Sequence, residues 1–468
     1  MLVRRWIILL VLAYFSGSQA LPLPSSAITS SSPIPDILDG DPSKTSSSSS
    51  RTLYSIVQSC LFTFFACVYQ AIHPNIPNPS ASRWRIRKER LIVMAYMLLV
   101  PELVIYWAAE QWCSAREIAD LINDRVLEKL ETKEAFEWKS KHQWTTVHGY
   151  FIQMGGFIGD DGSVLTSDDI LNLVHASAPG RLTIADLKRY SEKHIREKSE
   201  RDMISKLILT LQTYWFILQC IARLAKRLEL SELEVVTFAY SILNVVIFLL
   251  WSNKPLDIHR SITFRLLGDD KEATLDPHTK SPTSTPPSGG RPADLLTNLY
   301  NLFQNPLVRF FSNLGQLAGF TPAAYEVEGD ARQVGRFYRE RPEKHVKTLF
   351  LGTTALGVAF GAIHFMSWSL PFPTSHEQVL WRVFTVVATA FPVTFVVLGL
   401  VIYKMISVPH KGFWLKTLES IVGVVIVLSI IFYALARFGL VIQAIAALRK
   451  LPPGVFENIT WCSVIPHF

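Results

Sequence analysis

Seven apolar stretches, each long enough to cross a lipid bilayer, recur along this chain of 468 residues. Charged segments or segments rich in Pro and Ser separate them. Since about 20 apolar residues in a helix match the hydrocarbon thickness of a membrane, the pattern predicts an all-α fold. We expect a polytopic membrane helix bundle of about seven transmembrane helices with partly ordered extramembrane regions. The predicted spans cover residues 53–72, 91–109, 204–221, 235–251, 346–370, 380–403 and 418–436.

The composition agrees with a membrane protein and argues against a nucleic-acid binder. Hydrophobic residues make up 49% of the chain and charged residues 18%, against about 25% charge in a typical soluble domain. Lys and Arg exceed Asp and Glu by 46 to 39, and much of this surplus flanks apolar segments, as the positive-inside rule describes. The expected partner is the lipid bilayer, no nucleic-acid partner is expected, and a protein partner is left unassigned.

The N-terminus has the pattern of a secretory signal. Two arginines precede the apolar run 6–15, and Ser18-Gln19-Ala20 fits a cleavage site, which predicts a signal peptide over residues 1–20; an uncleaved anchor is the alternative. Residues 21–51 are rich in Ser and Pro and are expected to be disordered. We expect a membrane location in the secretory pathway, where the pattern does not distinguish endoplasmic reticulum, vacuole and plasma membrane.

Basic loops orient the predicted spans. Five basic residues between 83 and 90, and three more between 223 and 227, predict cytoplasmic loops. Counting seven crossings from a lumenal start places the tail in the cytoplasm. If the second span, which contains Pro101, does not cross, both large polar regions become cytoplasmic instead. The sequon at Asn458 is a candidate glycosylation site, and a glycan there means a lumenal tail.

The regions between the predicted spans contain local structural signals. Between the spans, Cys113–Leu130 is predicted as an amphipathic helix, Gly155-Gly156 as a turn and Ile184 as the start of a further helix. Capping boxes are predicted for Thr166–Asp169 and for Ser375 with Gln378.

The predicted spans divide the chain into eight segments. The segments are a signal peptide (1–20), a disordered segment (21–51), transmembrane helices 1–2 (52–109), a polar extramembrane region (110–202), transmembrane helices 3–4 (203–252), a linker with an interfacial amphipathic helix at 295–317 (253–345), transmembrane helices 5–7 (346–448) and a C-terminal tail (449–468).

Glu102 is the first candidate intramembrane polar residue. A charged carboxylate near the middle of a span costs about 2.5–3.5 kcal/mol on insertion scales unless it is paired, hydrated or protonated. One interpretation is an ion or proton relay. The interpretation we favour is a neutral, hydrogen-bonded Glu102 that stabilises the kink beside Pro101.

His364 and Asn244 are the other two candidates. Gly357 and Gly361 form a GxxxG pair with His364 one turn further on, which favours close helix packing over a metal site. Thr237, Ser241 and Asn244 form a polar stripe on the fourth span. Such a stripe lines a hydrated pathway or holds helices together, and the second role is more common.

Reaction chemistry is not indicated by any motif. HExxH, GxSxG, Walker and GxGxxG patterns are missing, and the five cysteines include no CxxC pair. We therefore assign no catalytic residue, cofactor or metal ligand. A weak cation contact at Asp160, Asp161, Asp168 and Asp169 is a minor alternative, because their spacing differs from the calcium-loop pattern.

Seven stretches of the chain carry a resemblance to a known family. They are RTLYSIVQSCLFTFFACVYQAIHPNIP (51–77), PELVIYWAAEQWCSAR (101–116), WTTVHGYFIQMGGF (144–157), LQTYWFILQCIAR (211–223), LSELEVVTFAYSILNVVIFLLWSNKPLD (230–257), 361–382 and 451–468. In these stretches the chain resembles an uncharacterised family of multi-pass integral membrane proteins of filamentous and mushroom-forming fungi. The resemblance covers all predicted spans and the tail, and it leaves out the Ser-rich segment and the linker near 270–290. It implies an integral membrane protein, and no activity or functional residue carries over from it.

Three function classes follow from these observations. We expect a non-enzymatic transport, channel or sensing role, with polar faces of the spans lining the interior. The alternative is a scaffold or receptor-like protein that binds a partner through region 110–202. A second alternative is a membrane enzyme acting on lipid or glycan, which requires Glu110, His148 and His376 to converge at one membrane face.

Overall fold

The computed structural model describes residues 51–70, 73–77, 81–159, 162–175, 184–197, 203–256, 258, 260–263, 313, 316, 325–328, 331–340, 345–406 and 413–458. This part of the chain is predominantly helical, as predicted. Its α-helices are α1 (Leu53–Gln70), α2 (Arg83–Leu99), α3 (Pro101–Leu127), α4 (Thr132–Glu137), α5 (Thr146–Gln153), α6 (Ser167–His175), α7 (Ile184–Arg189), α8 (Glu192–Glu197), α9 (Met203–Ala225), α10 (Glu232–Leu250), α11 (Val346–Ile363), α12 (Ser375–Ile406) and α13 (Phe413–Ala447).

Short strands make the purely helical expectation incomplete. Two two-residue strands, β1 (Phe157–Ile158) and β2 (Ile262–Thr263), pair in parallel. A hairpin of β3 (Tyr325–Glu328) and β4 (Ala331–Val334) follows. The predicted signal peptide, the Ser-rich segment up to residue 50 and the linker 268–292 lie outside the described residues, as does the interfacial helix at 295–317 apart from residues 313 and 316.

The predicted apolar stretches are mostly helical in their described residues. Five helices, α9 to α13, are long and apolar enough to cross a membrane, and the count is six if the bent pair α2–α3 is one span. The shorter apolar helix α1 corresponds to the first predicted stretch. The last apolar run continues past Arg437 as one helix to Ala447.

The second predicted span is two helices instead of one kinked helix. The axes of α2 and α3 differ by 114°, and Val100 between them has φ −142° and ψ 57°. Pro101 causes the break, because a proline disfavours helical geometry at the preceding residue and fits best in the first turn of a new helix. The basic residues predicted as a loop lie in the first two turns of α2, where the hydroxyl of Ser82 accepts a hydrogen bond from the Arg85 amide at 3.3 Å.

Contacts at their ends fix the directions of the long helices. Arg51, before α1, pairs with Glu234 at the start of α10. His73, after α1, lies 5.1 Å (ring centroids) from Trp251 at the end of α10. Hence α1 and α10 run parallel. Glu377 at the start of α12 pairs with Arg449 after α13, so these two helices run antiparallel. We call the end of the bundle with Arg51 and Glu234 the terminal face, and the end with His73 and Trp251 the opposite face.

The polar region folds around a second hydrophobic core. The buried side chains of this core come from the C-terminal half of α3, from α5 to α8 and from the segment after α10. The predicted amphipathic helix 113–130 is part of α3, which links the two cores. At Gly149 of α5 a Cβ atom would lie 1.9 Å from the Ala115 carbonyl oxygen, so only glycine allows the two helices to pack this closely.

Local signals in the polar region are mostly confirmed. Thr166 and Asp169 form the predicted capping box, with the Thr166 amide donating to the Asp169 carboxylate at 3.0 Å. The turn at Gly155 has φ +79°. The single helix predicted from Ile184 is instead the two short helices α7 and α8. The predicted cap at Ser375 is wrong by one residue, because the Thr374 hydroxyl accepts the Glu377 amide at 3.3 Å.

Candidate functional site

Glu102 lies in the first turn of α3, immediately after the break between α2 and α3. It is 7% exposed, and its side chain lies among α11 and α13. The positive end of the α3 dipole favours a carboxylate at this position. The site is therefore a half-helix N-terminus inside the helix bundle, with an acidic residue in its first turn.

The partner of Glu102 is Arg437 on α13. Arg437 Nη2 donates to Glu102 Oε2 at 2.7 Å. Tyr433, one turn earlier on α13, accepts from Arg437 Nε at 2.8 Å and donates to Glu102 Oε1. We call these three residues the Glu102 cluster.

Aromatic side chains close off the Glu102 cluster. The Arg437 guanidinium carbon lies 3.5 Å from the ring centroid of Phe360 on α11, and Tyr433 stacks on Phe391 of α12 at 4.2 Å. A cation over an aromatic face is stabilised by the ring quadrupole. Removing one charge from such a buried pair costs about 3–5 kcal/mol, because the other is left without compensation.

The cluster changes the interpretation of Glu102. The favoured prediction was a neutral, hydrogen-bonded carboxyl group beside Pro101. The hydrogen bonds are present, and in addition the Arg437 guanidinium pairs with the Glu102 carboxyl group. Sequence reasoning missed Arg437, although an arginine inside an apolar run is itself a signal that a buried acid pairs with it.

His364 lies close to the cluster without joining it. The side chain is fully buried, and its Nδ1 lies 2.9 Å from the Phe360 carbonyl oxygen, which makes Nδ1 the donor. Its ring is 5.0 Å from the Phe360 ring, which also contacts Arg437. Among the described residues, no group of three or more His, Cys, Asp or Glu side chains is arranged to hold a metal ion.

The GxxxG pair acts in helix packing, as predicted. At Gly361 a Cβ atom would lie 2.5 Å from the Thr389 Cα on α12, and at Gly357 it would lie 2.9 Å from Pro392. Both glycines therefore allow α11 and α12 to approach closely. In the same contact Trp381 Nε1 donates to the His364 carbonyl oxygen at 3.3 Å.

Asn244 is buried on α10. The hydroxyls of Thr237 and Ser241 donate to carbonyl oxygens of their own helix at 2.8 Å each. The Asn244 Oδ1 atom has no hydrogen-bond partner among the described residues. The hydroxyls of the stripe are thus satisfied within α10, and among the described residues no hydrogen bond joins Asn244 Oδ1 to the Glu102 cluster or to His364.

The remaining predicted residues are scattered. Asn458 is exposed just after the C-terminal turn on the terminal face. Glu110 pairs with Arg339, His148 lies in the polar region next to Tyr190, and His376 is exposed at the start of α12. Glu110, His148 and His376 do not converge, so the structure does not assemble the site that the enzyme alternative requires.

A buried lysine at the opposite face was not predicted. Lys254 Nζ donates to the His73 carbonyl oxygen at 2.7 Å and to Gln111 Oε1 at 2.9 Å. It also lies 4.7 Å from the Trp251 ring centroid and 5.2 Å from that of Trp107. Burial holds the pKa of Lys254 well below its usual range. Lys254 therefore joins α1, α3 and α10 where the bundle meets the polar region.

Another buried cation lies at the terminal face. Arg223, predicted in a cytoplasmic loop, is a helical residue of α9 and only 2% exposed. Its guanidinium donates to the carbonyl oxygens of Glu229, Gly454 and Glu457 at 2.8–2.9 Å. Arg223 thus holds the C-terminal turn Pro453–Phe456 and does not mark a loop.

Comparison with known proteins gives one match. No curated protein and no solved structure matches the chain. The profile of a family of unknown function, DUF8562, matches residues 30–276, which is just over half of the chain and includes Glu102 and Lys254. Arg437 lies beyond the matched residues. The chain belongs to this family of unknown function, DUF8562.

Proposed function

We propose that the protein is a polytopic membrane protein in which six helices cross the bilayer and the pair α2–α3 does not. The crossing helices are α1 and α9 to α13. The 114° break supports a re-entrant pair, because α2 begins and α3 leaves at the opposite face. Six crossings also agree with the contact between the first and last helical segments at the terminal face.

This topology places both large polar regions on one side. If the signal peptide is cleaved in the secretory pathway, the terminal face is lumenal and the opposite face is cytoplasmic. The loop with Lys226 and Arg227, which the positive-inside rule predicts to be cytoplasmic, is then lumenal. The sequon at Asn458 is then lumenal. The fungal origin and the secretory location rest on the resemblance of seven stretches and on the N-terminal residues, and they are part of this proposal.

For the activity we propose a non-enzymatic transport, channel or sensing role centred on the Glu102 cluster. One observation carries the proposal: an ion pair is buried in the bundle at the N-terminus of a discontinuous helix. Half-helix ends inside membranes commonly form ion and substrate sites in transporters, and intramembrane charges commonly mark functional sites. A Cβ atom at Gly357 would lie 3.6 Å from Glu102 Cγ, so α11 packs directly against the pair.

The test measures ion movement in proteoliposomes that contain the purified full chain. A pH-sensitive dye inside the vesicles and an imposed membrane potential report proton or cation flux. The double variant Glu102→Gln/Arg437→Gln removes both charges, so it avoids an uncompensated buried charge. We expect flux for the wild-type protein and a loss of at least tenfold for the double variant at unchanged thermal stability.

Two results contradict the proposal. The first is a wild-type protein with no more flux than protein-free vesicles. The second is a double variant that keeps both the stability and the flux of the wild type, which indicates a packing role for Glu102. The single variant Glu102→Gln is the control for destabilisation, because it leaves Arg437 unpaired.

A scaffold role is the second candidate, and the separate core of the polar region favours it. At the surface of this region Phe136 of α4 is 76% exposed. A photo-crosslinking residue at Phe136 in the full chain is expected to give one discrete adduct in membranes. The same residue at Lys193 of α8 is the control, and equal labelling at both positions argues against a partner at α4.

A further inference from the structure

The first two turns of α2 form an exposed basic face. Arg83, Arg87 and Lys88 are exposed and lie on one side of the helix. The acidic residue in this segment, Glu89, is engaged by Arg336. In the part of the chain that the structure describes, no acidic side chain pairs with Arg83, Arg87 or Lys88. The face therefore carries an uncompensated positive charge.

Apolar side chains run along the same face. Trp84 is 70% exposed and Leu91 is 58% exposed. Residues 84, 88 and 91 are spaced by four and three positions, so they lie in one row on the helix. Lys88 stands between the two apolar side chains. A row of this composition is typical of a helix at the boundary between lipid headgroups and acyl chains.

Contacts place this face at the level where the spans end. Arg336, which binds Glu89, contributes its carbonyl oxygen as an acceptor for the Asn75 amide at 3.4 Å. The Asn75 side chain in turn accepts from Lys254, just after α10, at 3.5 Å. The basic turns of α2 are thus connected to the ends of α1 and α10. In a bilayer crossed by α1 and α10, this is the depth of the headgroups.

We propose that Arg83, Arg87 and Lys88 bind the headgroups of anionic phospholipids, while Trp84 and Leu91 contact the acyl boundary. The proposal rests on the membrane topology proposed above. Lipid is the occupant that fits, because the cations adjoin apolar side chains and the second half of α2 continues into the bundle. A soluble acidic partner would pair with the cations but would leave Trp84 and Leu91 without an apolar contact. Juxtamembrane basic clusters bind anionic lipid through the same attraction.

The experiment compares lipid retention by native mass spectrometry. The full chain is purified in neutral detergent and incubated with equimolar phosphatidylserine and phosphatidylcholine. The triple variant Arg83→Ala/Arg87→Ala/Lys88→Ala keeps a strong helix former at each position. Lys133→Ala/Lys139→Ala/Lys141→Ala is the control, because these exposed lysines of the polar region give the same change in net charge.

We expect the wild type and the control to retain phosphatidylserine in preference to phosphatidylcholine. The first triple variant is expected to lose on the order of 100-fold in phosphatidylserine affinity, since each basic residue near an anionic surface contributes several-fold. The same preference in both triple variants, or an equal loss in both, overturns the proposal.

Alkaline carbonate extraction separates this failure from failure of the topology. If the wild-type protein stays in the membrane fraction while the first triple variant keeps its lipid, only the lipid site is wrong. If the wild-type protein is extracted, the membrane topology is wrong and the lipid site falls with it. Thermal unfolding of each variant confirms that the exposed substitutions leave the fold intact.

Discussion

The backbone amide of Arg51 donates a hydrogen bond to the carbonyl oxygen of Phe456 at 3.0 Å. Arg51 precedes the first helix, and Phe456 lies in the turn that follows the last helix. The segments before and after the helical bundle therefore meet on the terminal face. An odd number of crossings between them is incompatible with this contact. The seven-crossing prediction places the tail on the side of the membrane opposite the N-terminus, whereas the six-crossing topology proposed above places both on the terminal face.

Cysteine labelling tests this arrangement in membranes. In a cysteine-free background, Thr52→Cys and Glu457→Cys are expected to react with a membrane-impermeant maleimide from the same side. Lys139→Cys in the polar region is expected to react only from the other side. All three residues are exposed, so reagent access depends on the side of the membrane. Reaction of Thr52→Cys and Glu457→Cys from opposite sides sinks the six-crossing topology.

The Glu102 cluster predicts an order of stability losses. Arg437→Met leaves Glu102 buried without its countercharge, and we expect a loss of about 3–5 kcal/mol in the free energy of unfolding. Tyr433→Phe removes hydrogen bonds to charged groups but keeps the ion pair, so a smaller loss of about 1.5–3 kcal/mol is expected. Denaturant unfolding in one detergent measures both. A larger loss for Tyr433→Phe than for Arg437→Met contradicts the ion pair as the main interaction.

Gly361 predicts a packing defect that a second glycine on the same helix does not share. A Cβ atom at Gly361 would lie 2.5 Å from the Thr389 Cα, whereas at Gly352 it would meet no atom within 4 Å. Gly361→Ala is therefore expected to force α11 and α12 apart and to destabilise the protein by about 1–3 kcal/mol, the usual cost of overpacking. Gly352→Ala should be neutral or slightly stabilising, because alanine has the higher helix propensity. Thermal unfolding of the two variants compares them directly, and equal melting temperatures argue against close contact at Gly361.

His148 predicts a pH dependence in the polar region. Its Nδ1 accepts from the Thr145 amide at 3.0 Å, and its Nε2 lies 2.9 Å from the Tyr190 carbonyl oxygen, as in a neutral ring. Burial lowers the pKa of His148 below its ordinary value of 6.5, although Glu192 opposes this shift. The unfolded chain thus binds the proton more tightly than the folded one. The contribution of His148 to the free energy of unfolding is therefore fully present above pH 6.5 and decreases as the pH falls below this value.

The measurement is the unfolding free energy of the full chain between pH 8 and pH 5. We expect a slope of at most about 1.4 kcal/mol per pH unit from His148. The variant His148→Gln should lose this part of the slope, and His194→Gln, at an exposed position of α8, should keep it. An unchanged slope in His148→Gln assigns the pH dependence to other groups.

Local patterns predicted much of the helical framework. Hydropathy located the helices because burial in lipid requires long apolar segments, and the Thr166–Asp169 capping box marked the start of α6 correctly. Pro101 signalled a disturbance, but the sequence did not show whether the chain kinks or turns by 114°. That angle depends on tertiary contacts, such as the 2.5 Å hydrogen bond from the Tyr240 hydroxyl to the Leu98 carbonyl oxygen.

Pairings between distant residues could not be predicted from local sequence. Glu102 and Arg437 are separated by 335 positions, and no periodicity connects them. Arg223 is close in sequence to Lys226 and Arg227, and this spacing predicts a basic loop that contains all three. In the structure it is buried, because the carbonyl oxygens of a segment more than 200 residues away accept its hydrogen bonds. The sequence shows where charged residues lie along the chain, whereas the residue that each of them contacts is determined by the fold.

The way Arg223 holds the turn Pro453–Phe456 bears on how a premature stop codon after the last long helix would act. A stop codon at Pro453 would leave α1 to α13 intact and would remove the chain from Pro453 onwards. The guanidinium of Arg223 would nevertheless lose its acceptors on Gly454, Val455 and Glu457. Such an allele would then behave as a stability defect of the whole protein and not as a harmless shortening.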